Sequence, residues 1–209
     1  MLLKKKELLI CLCARGYENA AAAEETLPDM DEQSRQSLKT ALAGLGLLES
    51  DPQVEGGYRF SAYGQVILDT IGKPDVLLEA DHLKRNIRRS LYLRDAFYVC
   101  VEEMDEDVMI DLLPSLPIFI GGYASLLKEL RGAAAGEAVQ ADWKQDDQLI
   151  RVSISAAGKT AVMEIDEHGV TRQTDADGVT FKRHTQESGT NAITMWMLNA
   201  LKQIKEKTT

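Results

Sequence analysis

The chain is short of nearly every residue on which catalysis or metal binding usually rests. Its 209 residues include three cysteines, Cys11, Cys13 and Cys100, and three histidines, His82, His168 and His184. No two cysteines stand at CxxC spacing, and Cys11 and Cys13 lie two apart on a helical pattern, where they point in different directions. Set among apolar neighbours, all three read as buried free thiols. The histidines form no HExxH pair. Asp166, Glu167 and His168 sit together at a turn with His184 ending a strand nearby, but the group lacks a dense metal-ligand motif. GxSxG, GxGxxG and the Walker lysine loop are all missing, and Gly121-Gly122-Tyr123 reads as a compact turn before a helix. These absences point to a protein that is not an enzyme and that carries no cofactor and no metal.

Cations are also in deficit. With 24 Lys and Arg against 33 Asp and Glu, the net charge is -9 and the pI about 4.9, which argues against a general nucleic-acid binder. No apolar run reaches the roughly 18 residues needed to cross a bilayer. The opening MLLKKKELLICLCARG has the outline of a secretion signal, but Glu7 interrupts it and only Leu8 to Ala14 is apolar. A cytoplasmic protein without membrane contact is the expectation. What the chain does have is apolar content, 44% of its residues, enough to bury a core.

The periodicity predicts a first helix from Leu2 to Ala14 ended by Gly16, and a second from about Asp31 to Leu45 carrying Leu38, Leu42 and Leu45 inward. Tyr58 to Phe60 reads as a short strand, Ser61 as the cap of a helix through Ile71, and Gly72 to Asp75 as a domain edge. Helix, Gly-rich turn, hairpin-like excursion and short helix outline a winged-helix-like segment over residues 1–75. Beyond it, a strand near Ala96 to Val101, an acidic turn from Glu102 to Asp107 and a strand through Leu113 form a hairpin, followed by a helix over Leu116 to Leu130. The order then repeats. Leu149 to Ser155, Thr160 to Ile165, Gly169 to Thr174 and Val179 to His184 alternate as strands, and Asn191 to Lys205 closes as a helix. The fold class is therefore α+β: an antiparallel sheet built from two strand-and-helix units (76–132 and 139–206 within a body of 76–209), flanked by helices.

Three charged features invite functional readings. Residues 34–45 offer a DNA groove only Arg35 and Lys39, and residues 1–75 hold 8 basic against 12 acidic side chains, a net of -4. Long-range attraction to phosphate is poor, so a transcriptional regulator with a C-terminal sensing or dimerisation domain is the alternative reading, with nucleic acid not the favoured partner. Lys84, Arg85, Arg88 and Arg89 form the densest basic cluster, suited to an acidic partner or to protecting a strand edge. Glu102, Glu103, Asp105, Glu106 and Asp107 lack the order of a calcium loop and read as a solvated turn. On the final helix, Ile193, Met197, Ala200, Leu201 and Ile204 make the stripe facing the sheet, and Met195 and Trp196 lie away from its centre, open to two readings: the rim of a partner groove, or ordinary burial in a wide core face.

This order of elements resembles the EspG-type chaperones of type VII (ESX) secretion and related proteins encoded beside such systems in Gram-positive bacteria. The likeness is carried by KELLICLCARG with Leu27-Pro28, by ALAGLGLLES followed by YRFSAYGQVILDTIGKPD, and by DAFYVCVEEMDEDVMIDLLP. The chain departs from the mycobacterial pattern in lacking long extensions. The resemblance implies binding of a small helical secreted protein or heterodimer whose apolar tip is kept soluble, with homo-oligomerisation left open. It implies contacts at the turn Asp175 to Gly178, including Asp177, and at Phe181, Met195, Trp196 and Leu198, with Lys84, Arg85, Arg88 and Arg89 steering an acidic partner.

Overall fold

The computed structural model describes residues 1–17, 31–114, 136–137, 139–175, 177–184, 191, 194–200 and 202. Its elements run β1 (Leu2–Lys4), α1 (Lys5–Ala14), α2 (Glu32–Gly44), β2 (Leu48–Ser50), β3 (Tyr58–Phe60) and α3 (Ala62–Gly72). Seven longer strands and one short one follow: β4 (Val76–His82), β5 (Ile87–Arg94), β6 (Phe97–Met104), β7 (Asp107–Leu113), β8 (Gly136–Glu137), β9 (Gln148–Ala156), β10 (Lys159–Asp166) and β11 (Val170–Asp175). β12 (Gly178–Arg183) completes the strands, and residues 194–200 form a last helix, α4. The class is α+β with a large antiparallel sheet.

Ten strands lie in one sheet in the order β1-β7-β6-β5-β4-β9-β10-β11-β12-β8. Two four-stranded meanders, β4 to β7 and β9 to β12, meet through their first strands, with Leu78 opposite Ile154 and Ala80 opposite Val152. Alternation decides which side of each strand is dry. In VLLEADH of β4, Val76, Leu78, Ala80 and His82 are buried while the residues between are half-buried. Hairpin turns place Asn86, Asp95 and Asp105 at positive φ, a region that short polar side chains tolerate, and Ala157 precedes Gly158 there in the same way.

The sheet carries two cores. On one face Leu78, Leu91, Ile150, Val152, Ile154, Met163 and Ile165 pack with Met197 of α4, and Trp196 and Ala200 lie against their edge. On the other, Val99, Val101, Val108 and Ile110 are covered by Leu12 of α1, Leu42 of α2 and Ile67, Leu68 and Ile71 of α3. Local chemistry explains these helices. The Asp31 carboxylate accepts the Ser34 amide at the start of α2, and the Ser61 hydroxyl accepts that of Gly64 at the start of α3. Arg15 closes the N-terminal layer through Asp69, with Nη2 2.6 Å from Oδ1.

Several expected boundaries are corrected. Residues 2–4 form an edge strand, Leu3 opposite Val108, and the first helix starts at Lys5. The run from Val76 to Arg94 holds two full strands that periodicity alone leaves unassigned. Glu102 and Glu103 belong to β6, opposite Arg89 and Arg88, so the acidic turn shrinks to Asp105 and Glu106. The expected helix over Leu116 to Leu130 lies outside the described residues.

Candidate partner-binding cleft

β10, β11 and β12 present alternate residues toward α4. Ala161 and Met163 of β10 and Thr171, Gln173 and Asp175 of β11 line a cleft of about 630 Å³. Asp177, Thr180, Phe181, Lys182 and His184 form its strand wall, with Met195, Trp196, Asn199 and Ala200 of α4 opposite. Met195 is 55% exposed beside buried Met197, so a large apolar side chain faces solvent at the rim. Asp175 is held in place: the Gln173 amide Nε2 donates to its Oδ2 at 2.8 Å, and the Asp177 backbone amide to its Oδ1 at 2.9 Å.

Five of the ten residues singled out in the sequence, Asp175, Asp177, Phe181, Met195 and Trp196, thus border one cleft. Phe181 meets it along the strand, since its register partner is Arg172, and alternation places both on the opposite face of the sheet. Leu198 is 37% exposed on α4 and is not among the lining residues. The floor residues Ala161, Met163, Thr171 and His184 come together only through strand pairing.

The basic cluster lies elsewhere. Lys84 pairs with Glu167, and Arg89 Nε lies 2.5 Å from a Glu102 carboxylate oxygen. Arg85 is exposed in the β4–β5 turn. Arg88 Nη2 lies 2.5 Å from Glu79, while its Nε lies 3.5 Å from Asp81 and 3.7 Å from Glu103. Arg88 belongs to a row running straight across six strands on the face away from the cleft: Glu103, Arg88, Asp81, Arg151, Glu164 and Arg172. Their charges alternate without exception, and opposite charges directly across a strand pair each contribute about 0.2–1 kcal/mol. The row explains how so many charges sit in the middle of a large sheet.

Asp147, Glu167 and His168 bring one ligand atom each to within 4.8 Å of one another, so Asp147 stands in this group where the sequence suggests Asp166 and His184. Lys84 is bound to Glu167, and His168 Nε2 lies 3.1 Å from Asp147, so each member of the group already has a partner within the protein. Burial shifts several of the less exposed groups. It pushes the Cys11 thiol up to about 12, helped by Glu7, and the Cys100 thiol up to about 11, both far from a reactive thiolate at neutral pH. Burial raises Asp166, whose Oδ1 accepts the amides of His168 and Val170.

His82 and His184 are both buried, and burial lowers the pKa of each, with the charges of Arg85 and Lys182 respectively adding to the effect. Because the folded values lie below 6.5, the unfolded chain takes up protons first on acidification. Their contribution is complete above about pH 6.5 and is lost as the pH falls through the lowered values. Asp81 and Asp166, raised by burial, work in the opposite direction but only nearer the carboxylate range. Tm is therefore expected to fall between pH 7.5 and 5.5, and the decline should be smaller in a His184→Gln variant. A flat profile over that interval would contradict the burial of neutral imidazoles.

No protein-family model and no curated protein matches the sequence. The fold, however, has a solved counterpart. The chain superposes with a TM-score of 0.60 on EspG5, the type VII secretion system chaperone of Mycobacterium tuberculosis, in its complex with the PE25-PPE41 dimer. This chain is similar in fold to a secretion chaperone. The match covers 91% of this chain and 92% of that one at 9% sequence identity, so what is shared is the architecture. Among the described residues, no helix is long and apolar enough to cross a membrane.

Proposed function

We propose that this protein is a cytoplasmic binding protein or chaperone for a small helical secretion substrate or heterodimer of the type VII (ESX) kind in a Gram-positive bacterium, and that it performs no chemistry. The observation that carries the reading is the cleft between β10–β12 and α4, on a fold similar to that of a chaperone solved with a protein dimer bound. An exposed methionine beside a half-buried tryptophan is adaptable apolar surface of the sort that anchors partner helices. A ten-stranded antiparallel sheet is the platform on which that surface is built.

In this reading residues 76–132 and 139–206 are two strand-and-helix units joined through β4 and β9. Residues 1–75 are a winged-helix-like segment whose apolar side is spent on packing against β6 and β7. Its exposed α2 face offers Arg35 and Lys39 beside Glu32, a weak match to phosphate, and the DNA-binding alternative gains nothing from it. Asp175, Asp177, Met195 and Trp196 are the contact positions, with Leu198 at the margin and the Phe181 side chain on the opposite face of the sheet. Lys84, Arg88 and Arg89 are paired with Glu167, Glu79 and Glu102, so they and Arg85 beside them act at most at long range.

Co-expression with the small helical proteins encoded beside this chain tests the reading. A stable complex recovered by affinity and size-exclusion chromatography is the expected result. Failure of every such protein to co-purify, with secretion unchanged after gene deletion, would refute it.

A further inference from the structure

The cleft is electrically bipolar. Asp175 and Asp177 stand at one end, at the β11–β12 turn, and Lys182 lines the other. Gly178, which pairs with Asp175, is four residues from Lys182 along β12, so the two ends lie about 14 Å apart at the rise of an antiparallel strand. Buried His184, whose Nε2 lies 3.2 Å from the Thr171 hydroxyl, has its pKa lowered by burial and by Lys182, so among the described lining residues Lys182 carries the positive charge at that end. Met195, Trp196 and Ala200 of α4 give the cleft an apolar edge, which faces the polar side chains of Thr171, Gln173 and Thr180 on the strands.

We infer that the cleft accepts an amphipathic partner helix in one polarity, its N-terminal end at Asp175 and Asp177 and its C-terminal end at Lys182. This rests on the cleft being the partner site. A helix carries partial positive charge at its N-terminus and partial negative charge at its C-terminus, so the opposite orientation would set like against like at both ends. At 1.5 Å per residue, 14 Å corresponds to about nine residues of helix. The occupant is thus two to three turns long, with an apolar stripe toward Met195 and Trp196, basic side chains in its first turn and acidic ones in its last. Asp175 is pre-oriented by Gln173 and by the Asp177 amide, and this reduces the ordering lost on binding.

Two labelled peptides of about 14 residues test this. They share one composition and one Leu-Ala stripe, and a hydrocarbon staple holds them equally helical by circular dichroism. One carries Lys in its first turn and Glu in its last; the other carries the reverse. By fluorescence anisotropy at low salt, the first is expected to bind about fivefold more tightly. A nitroxide on the N-terminus of the first peptide is expected to broaden the amide signal of Asp177 and spare that of Lys182, and in the double variant Asp177→Lys, Lys182→Glu, with Tm checked against the parent, that pattern should reverse as the peptide turns round. Equal affinities, or a label position that the charge swap leaves unchanged, would overturn the polarity while leaving the cleft as a binding site. Binding of neither peptide, with partner capture intact and insensitive to Met195→Glu, would instead remove the cleft from the reading altogether.

Discussion

Gly64→Ala is expected to lower the unfolding free energy by about 3 kcal/mol, the upper end of what overpacking usually costs. A Cβ built on Gly64 would lie 2.2 Å from the Leu47 carbonyl oxygen and 2.9 Å from its carbon, both backbone atoms that cannot swing aside. That same oxygen accepts the Ser61 amide at 3.0 Å, and the Ser61 hydroxyl donates to the Gly46 carbonyl while capping α3 through the Gly64 amide. Leu47 is fully buried in the N-terminal core, so relief by moving its backbone would disturb Leu42, Ile67 and Leu68 as well. For a domain of this size the loss corresponds to a fall in Tm of about 9 °C. Gly44→Ala is the control. Nothing lies within 4 Å of its built Cβ, and alanine is the better helix former, so that variant should be neutral or slightly stabilised. Equal Tm values for the two variants would show that α3 does not approach Leu47 this closely.

The second large effect belongs to the cleft. Met195→Glu is expected to reduce capture of the helical partner at least about tenfold, the loss typical of removing a central apolar anchor. Because Met195 is more than half exposed, its replacement should leave Tm nearly unchanged. The new carboxylate would stand on the wall opposite Asp175 and Asp177 and add an unpaired charge to a surface that an apolar stripe must dehydrate. Leu198→Glu supplies the comparison, since Leu198 is an exposed apolar residue on the same helix outside the cleft lining. Capture measured by co-purification and by titration should fall sharply for the first variant and little for the second. Similar losses would place the partner on the outer face of α4, and no loss in either would remove α4 from the interface.

The two variants differ in how visible their sites are in the sequence. Met195 and Trp196 stand out because a helix repeats every 3.6 residues, and a stripe centred on Met197 leaves its neighbours at the edge. The caps at Asp31 and Ser61 are equally local. Gly64 carries no such signal, since SAYGQV looks like any helix start that tolerates a glycine. Its requirement comes from Leu47, brought close by the β2–β3 hairpin.

The acidic residues teach the same lesson from the other side. Glu79, Asp81, Glu102 and Glu103 have poor strand propensity and resemble turn residues when read locally. Each sits in a strand because a cation on a neighbouring strand faces or reaches it: Arg88 for Glu79, Asp81 and Glu103, and Arg89 for Glu102. Leu2 to Lys4 is too short for any period to mark, and only pairing with β7 makes it a strand.

Local periodicity and composition determined the α+β class, the alternating strands from Leu149 to His184, the helix bearing Met195 and Trp196, and the poverty of catalytic signatures. Tertiary pairing alone decided that the two meanders join through β4 and β9, that the charges form an alternating row on one face, and that Asp175 and Lys182 end at opposite ends of one cleft. The reason is range. Capping and amphipathicity act within a few residues, whereas sheet register and the closing of a cleft depend on contacts between segments tens of residues apart.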